Sequence, residues 1–341
     1  MPTVTKPAVS ILIVSYNTRE LTLAAIESAS RETTANHEII VVDNASSDGS
    51  AAAIASHPSR PRLIALDENI GFGRANNLAA RHATADLVLL LNPDTVVRDG
   101  AIDRLLEFAA ERPAAKIWGG RTIFADGSLN PSSCWHRMTV WNQFCRTSGL
   151  AAIFRTSELF NGEAFGGWQR DTVREVDIVS GCLLLIPRAL WNELGGFDPL
   201  FFMYGEEADL CLRAIRAGAR PAVTPTATIV HLGGASEATR SAKMIKLLAA
   251  KMSLANRHMH GLERALTHLL ITAWPLTRLT ALRLASMVSR NEATSKSAAA
   301  WSDIWRERDA WRSGYTADTA TGHRLQARAG SPARTSLGTS S

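Results

Sequence analysis

Short stretches of this chain hold side chains able to do chemistry. In "LLLNPDTVV", Leu89 to Val97, an aliphatic run stops abruptly at Asn92, Pro93 and Asp94. A carboxylate there has two readings: it caps or turns into the next element, or it is a hard oxygen ligand for Mg2+ or Mn2+ shared with a diphosphate. His231, in "ATIVHLGG", stands at another strand end before Gly233 and Gly234. Its imidazole either is a hydrogen-bonded structural residue or joins the same cation. In "FFMYGEEADLCLR", Phe201 to Arg213, Glu206 and Glu207 open a helix behind aromatic residues. Two carboxylates in a first turn either complement the helix dipole or, if partial burial raises a pKa, deprotonate a hydroxyl nucleophile. Asp43 closes "EIIVVDN", where an acidic side chain can accept hydrogen bonds from a nucleotide's ribose or base. A dinucleotide oxidoreductase would place an acid there too. However, the first strand-to-helix loop, "SYNTRE", has no glycine, and Gly71 and Gly73 follow the third strand and run on to Asn76 where a third glycine is required.

These residues need a scaffold that brings strand ends together. From Val9 to about Phe124, β-branched runs alternate with helical patterns: "VSILIVSY", then Leu21 to Arg31; "EIIVVDN", then Ser50 to Ser56; "RLIAL", then Phe72 to His82; "LVLLLN", then Ala101 to Glu111; then "KIWGGRTIF". Such alternation predicts an α/β domain, a mostly parallel sheet flanked by helices. Ligands of such sheets bind beyond the carboxyl ends of the strands. The ends carry Ser15-Tyr16-Asn17, Asp43-Asn44 and Asn92-Pro93-Asp94. Residues 126–174 show a weak pattern rich in Gly, Ser, Asn and Trp and read as a long surface excursion. A further strand follows in "REVDIVSGCLLLIPR", then a helix from Glu206 to Ala217 closed by Gly218.

The 341 residues carry a net charge of +5, too mild to argue for nucleic acid as a partner unless the excess is concentrated. It is concentrated after Arg240, in Lys243, Lys246, Lys251, Arg257, Arg264, Arg278 and Arg283, opposed by Glu263. Cys134, Cys145, Cys182 and Cys211 form no C-x-x-C pair, so neither a zinc knuckle nor a dithiol redox site is supported. The start of the chain lacks the features of a signal peptide, and no apolar run approaches the roughly 20 residues that span a bilayer. The expectation is a cytoplasmic protein, soluble or on a membrane surface.

With these residues assembled, the chain resembles glycosyltransferase family 2, the A-type nucleotide-diphospho-sugar transferases, and within it the bacterial rhamnosyltransferase-like group. The resemblance runs from about Val9 to Gly234 through "SILIVSYNTRELT", "EIIVVDNASSDGS", "NIGFGRANNLAA", "LLLNPDTVV", "FGGW", "EVDIVSGCLLLIPRALWNELGGFDPLFFMYGEEADLCLR" and "VHLGGAS". It implies that Tyr16, Asn17, Asp43 and Asn44 hold the nucleoside, and that Asn69, Arg74 and Asn76 line the floor near sugar and diphosphate. Asp94 is then the surviving carboxylate of the family's D-x-D motif, whose first Asp is here Asn92, and His231 completes the metal shell around Mg2+ or Mn2+. Glu206-Glu207 sits where the family has an acidic pair, commonly Glu-Asp, with Glu207 as catalytic base. Trp168, in "FGGW", is either a mobile lid or a packed loop anchor. The implied reaction is inverting transfer of a sugar, with dTDP-L-rhamnose as donor, to a glycan or polyprenyl-linked acceptor in cell-surface polysaccharide synthesis. Asn92, and Glu in place of Asp at 207, keep open a sugar-nucleotide-binding protein that does not catalyse.

The domain reading is a catalytic domain at 1–235, a basic amphipathic helical extension at 236–312 and a disordered tail at 313–341. In "LERALTHLLITAWPLTRLTALRL" apolar residues thread among basic ones. That pattern suits a helix at the cytoplasmic face of the inner membrane, and equally a helix packed on the catalytic domain or forming a homodimer face. Trp301, Trp305 and Trp311 suit an interface or ordinary packing.

Overall fold

The computed structural model describes residues 5–233, 239–288 and 292–316. Strands β1 (Val9–Ser15), β2 (His37–Asp43) and β3 (Arg62–Ala65) are parallel and alternate with helices α1 (Arg19–Glu32), α2 (Ser50–Ala55) and α3 (Phe72–Arg81). β4 (Leu87–Leu91) pairs in parallel with β1 on its other side, with β5 (Thr95–Val97), α4 (Ala101–Glu111) and β6 (Trp118–Ile123) next in the chain. The strands are near-continuous aliphatic runs because both faces are covered. Leu12, Val14, Ile40, Val42, Val88 and Leu90 enter one core, while Ile11, Ile13, Ile39, Val41, Leu89 and Leu91 enter the opposite one, the period-2 consequence of strand geometry.

The excursion carries more structure than its weak pattern predicts: β7 (Cys134–Trp135), α5 (Val140–Ser148), α6 (Leu150–Ile153) and β8 (Arg174–Glu175). β9 (Ile178–Val179) pairs with β7, and β10 (Leu183–Pro187) leads to α7 (Arg188–Glu193) and α8 (Glu206–Arg216). β10 runs antiparallel between β4 and β6, and β11 (Ala222–His231) lies between β6 and β5, completing a nine-stranded, mostly parallel sheet.

Close approach explains Gly120. β11 shifts register between Val223 and Thr228, and a Cβ on Gly120 would lie 2.0 Å from the Ala227 carbonyl oxygen and 2.7 Å from Leu183 Cδ2. Gly120→Ala is expected to cost about 1–3 kcal/mol through overpacking against backbone that cannot step aside. A lowered urea midpoint checks it.

Helices α9 (Arg240–His258), α10 (Gly261–Val288) and α11 (Glu292–Arg306) form a third core. Ile245, Leu248 and Met252 of α9, Trp274 of α10 and Trp301 of α11 close on Phe201 and Phe202 of the segment that leads into α8. Packing thus accounts for α9 and for Trp301 and Trp311, both buried. α10 leaves Leu262, Leu266, Leu269, Leu284 and Met287 exposed. No helix among the described residues is long and apolar enough to cross a membrane. The predicted tail begins too early at 313: Gly314 lies against Ser253, and Tyr315 is buried, its hydroxyl donating to the Met203 carbonyl. The rest of that tail from 317, and Gly234, Ala235 and Ser236 of "VHLGGAS", lie outside the described residues.

Candidate active site

At the carboxyl ends of the strands a cavity of about 1170 Å³ is lined by Tyr16, Asn44, Asn69, Asn92, Asp94, Glu206, Glu207 and His231, among others. Backbone pairing sets its centre. Thr95 stands opposite His231 in the β5–β11 ladder, and the Leu232 amide donates to the Asp94 carbonyl at 3.0 Å. This register brings His231 Nε2 to 3.3 Å from Asp94 Oδ1, both side chains being largely buried. The other ring nitrogen, Nδ1, lies 3.2 Å from the Ser132 hydroxyl, and the Asn130 amide donates to the His231 carbonyl at 3.0 Å, so ring and backbone are both held. Burial opposes a charged imidazole, but Asp94 and the Cys182 thiol outweigh it and lift His231 to about 10.

Asn92 Oδ1 is buried with no hydrogen-bond partner. The Asp94 carboxylate and the orphaned Asn92 amide oxygen fit Mg2+ or Mn2+, and His231 would join them only by giving up the Nε2 proton that it shares with Asp94. Among the described residues no group of three His, Cys, Asp or Glu side chains makes a self-sufficient metal site. A diphosphate oxygen would therefore have to complete such a shell.

The acidic pair is placed by Gly205, whose φ of +90° turns the chain into α8. Glu206 is buried and its Oε2 has no partner; burial first, then the Glu207 charge, raises its carboxyl well above the usual range. Glu207 is half-buried on the cavity wall, and burial raises its carboxyl as well. Two positions beyond Glu207, Asp209 is fully buried and bonded by Arg213 Nε at 2.7 Å, Arg257 Nε at 2.6 Å and His258 Nε2 at 2.9 Å, tying α8 to α9.

Residues 10–176 match the model of Glycosyl transferase family 2. The chain belongs to that family. It is 29% identical over 213 residues to N-acetylglucosaminyl-diphospho-decaprenol L-rhamnosyltransferase of Mycobacterium tuberculosis, covering 57% of this chain and 66% of that protein, so the match spans just under two thirds of the relative. It is also 29% identical over 273 residues to succinoglycan biosynthesis protein ExoO of Rhizobium meliloti, 77% of this chain and 72% of that one. Its fold is shared with mannosyltransferase PcManGT from Pyrobaculum calidifontis, solved in complex with GDP-Man and Mn2+, at TM-score 0.56 and 18% identity over 90% of this chain and 88% of that one.

Several residues expected at the site stand outside the cavity wall. Asn76 is buried and its amide donates to the Phe72 carbonyl one turn back, so it holds the start of α3. Arg74 reaches the Pro199 carbonyl at 3.4 Å, supporting the loop before α8. Trp168 is a packed anchor: Arg170 and Arg174 lie 4.8 and 5.1 Å from its ring, and its Nε1 donates to the Thr172 hydroxyl at 3.0 Å. Asn17 and Asp43 brace loops, accepting from the Ser47 and Ser46 amides at 2.8 and 3.1 Å, although Asp43 Oδ1 is left buried without a partner. Asn44 donates to Asn69 Oδ1 at 2.9 Å, fixing two wall residues against each other. Sequence reasoning missed Asn130 and Ser132, whose signal was only the turn chemistry of "NPSS". It also missed Asp209, whose i, i+4 spacing to Arg213 was readable.

Proposed function

We propose that this chain is an inverting glycosyltransferase of cell-surface polysaccharide synthesis. It moves L-rhamnose from dTDP-L-rhamnose to a hydroxyl of a glycan or lipid-linked glycan. The observation that carries the reading is that one cavity is faced by both the Asp94–His231 pair, with Asn92 beside it, and the acidic pair Glu206-Glu207. The rhamnosyltransferase relative supports the choice of donor sugar.

Tyr16 and Asn44 hold the nucleoside end, and Asn69 lines the floor near the sugar and diphosphate. Asp94 and the Asn92 amide oxygen, with His231 once its Nε2 proton is displaced, would hold Mg2+ or Mn2+, which would supply positive charge to the departing diphosphate. Glu207 takes the proton of the acceptor hydroxyl as that oxygen attacks the anomeric carbon. The bond to the nucleoside diphosphate breaks on the opposite face, its electron pair stays with the diphosphate oxygen, and the configuration inverts. The raised pKa of Glu207 makes it a stronger base than an ordinary carboxylate. Exposed leucines on α10, interspersed with exposed Arg264 and Arg283, support seating on the cytoplasmic face of the inner membrane, where a polyprenyl-linked acceptor is held.

The test is nucleoside diphosphate release by the purified protein from a panel of nucleotide sugars with Mg2+ or Mn2+, with and without lipid-linked acceptors. Release from dTDP-L-rhamnose is expected, and Asp94→Asn should lower it by about a hundredfold or more, since charge stabilisation of the leaving group is lost. Saturable nucleotide binding with silence across every donor and acceptor would overturn the transferase in favour of a non-catalytic binder.

A further inference from the structure

One wall of the cavity serves no step described above. Every Arg and Lys lining the cavity comes from residue 137 or later, and Arg146 of α5 and Lys251 of α9 are the two that meet on one carboxylate. Both bind the same carboxylate: Arg146 Nη2 lies 3.2 Å from Glu163 Oε2, and Lys251 Nζ contacts Glu163 Oε1. Gln143 donates to Glu163 Oε2 at 2.8 Å and adds no charge. Two cations thus share one anion in a place where all three side chains are largely buried. Arg278 stands close enough for Arg146 to disfavour its charge further after burial has done so, adding to the excess. A surplus positive charge in a low-dielectric wall is costly unless an anion neutralises it.

Two further observations point to a ligand. Arg146 Nε is buried and has no hydrogen-bond partner, although the guanidinium is otherwise bound and lies 5.3 Å from the Trp274 ring centre. The surrounding wall is apolar: Met138, Met244, Leu247, Leu254 and Trp274 line it. Leu247 and Leu254, with Ala250 between them, repeat at helical spacing on one face of α9. The cradle also adjoins the acidic pair. Gly205, directly before Glu206, lies against Ala250, directly before Lys251, so that a Cβ on Gly205 would be 3.1 Å from Ala250 Cβ.

We propose that Arg146 and Lys251 form the anion cradle of an acceptor subsite, taking the diphosphate of an isoprenoid-linked sugar while the isoprenoid lies along Met138, Met244, Leu247, Leu254 and Trp274. The ligand's role as acceptor rests on the transferase reading; the binding site itself does not. Glu163 is a placeholder anion: the diphosphate bonds to Arg146 and Lys251 in competition with it.

The test is calorimetric titration of the full chain with farnesyl diphosphate, farnesol and inorganic pyrophosphate, each in the presence of saturating nucleoside diphosphate. Farnesyl diphosphate is expected to bind saturably and at least tenfold more tightly than either of the others. Arg146→Gln should weaken it tenfold or more, Arg146→Lys should restore part of the loss, and Glu163→Gln should tighten it. A gain on removing Glu163 is a sign that misfolding cannot produce. Pyrophosphate binding as tightly as farnesyl diphosphate would reduce the site to one for free anions, and farnesyl diphosphate binding only when nucleoside diphosphate is left out would move the ligand to the donor site. Either result, or unchanged affinity in Arg146→Gln and Glu163→Gln, overturns the proposal. Because no turnover is read, a chain that fails to release nucleoside diphosphate would sink the transferase reading and leave this result standing.

Discussion

Glu207→Gln is expected to lower nucleoside diphosphate release by about 10²–10⁴-fold, the range in which a positioned general base contributes, while nucleotide binding is retained. Glu206→Gln should do far less. Glu206 is the more buried of the two and carries the carboxyl raised well above the ordinary range by burial and the Glu207 charge, which favours its neutral form, the form an amide imitates. Linkage gives a second signature. A carboxyl whose folded pKa is raised stabilises the protein at low pH, and that stability is lost as pH rises from the ordinary glutamate range through the raised value. Glu206→Gln should remove this loss and flatten the pH dependence of the melting temperature. Turnover has the opposite sign, since Glu207 must be ionised. The acid limb of the rate profile should lie above the ordinary carboxylate range, with activity falling as pH drops through it. Equal losses in the two variants would assign the proton transfer to the pair rather than to Glu207.

Asp209→Asn is expected to cost about 3–5 kcal/mol of stability, the usual result of breaking a buried ionic network from one side. Asp209 is fully buried, and Arg213, Arg257 and His258 all converge on it. Burial works against its charge, but these partners outweigh it and hold its pKa below the ordinary value. The stabilisation is therefore present above the ordinary aspartate range and fades as pH falls through the lowered pKa. Arg257 and His258 belong to α9, so the damage should reach beyond α8. Limited proteolysis should cut the extension of the variant faster than that of the parent, and denaturant melting supplies the magnitude. A variant melting within about 1 kcal/mol of the parent would show that α8 and α9 are joined by apolar packing alone.

The parallel half of the sheet was legible because β1, β2 and β4 are aliphatic runs bounded by polar strand ends, and burial on both faces leaves no other pattern for them. The position of β10 was not legible. An antiparallel strand inserted between β4 and β6 reads as apolar in the same way as a parallel one, and only its hydrogen bonds record its direction. At the site, Asp94, His231 and the acidic pair were readable from residue type at an element boundary. Asn76 and Trp168 misled, since an amide in a first helical turn serves the helix itself, and an aromatic between glycines packs on whichever arginines the fold supplies. The charge pattern of Arg146, Glu163 and Lys251 could not be found in sequence at all, because it is assembled from α5, a short 3-10 turn at Gly162–Ala164 and α9.

The pairing of Thr95 with His231 has a consequence for the order in which the protein is made. β11 is the last strand among the described residues, yet it inserts between β6 and β5 rather than adding at an outer edge. On the ribosome, β1, β2 and β4 can assemble early, whereas Asp94 gains its imidazole neighbour only after residue 231 has been synthesised and the strand has docked. A chain that stops short of β11 therefore leaves the β6 edge uncovered and β5 unpaired, both prone to pair with other strands, and the Asp94–His231 pair forms late and in one step.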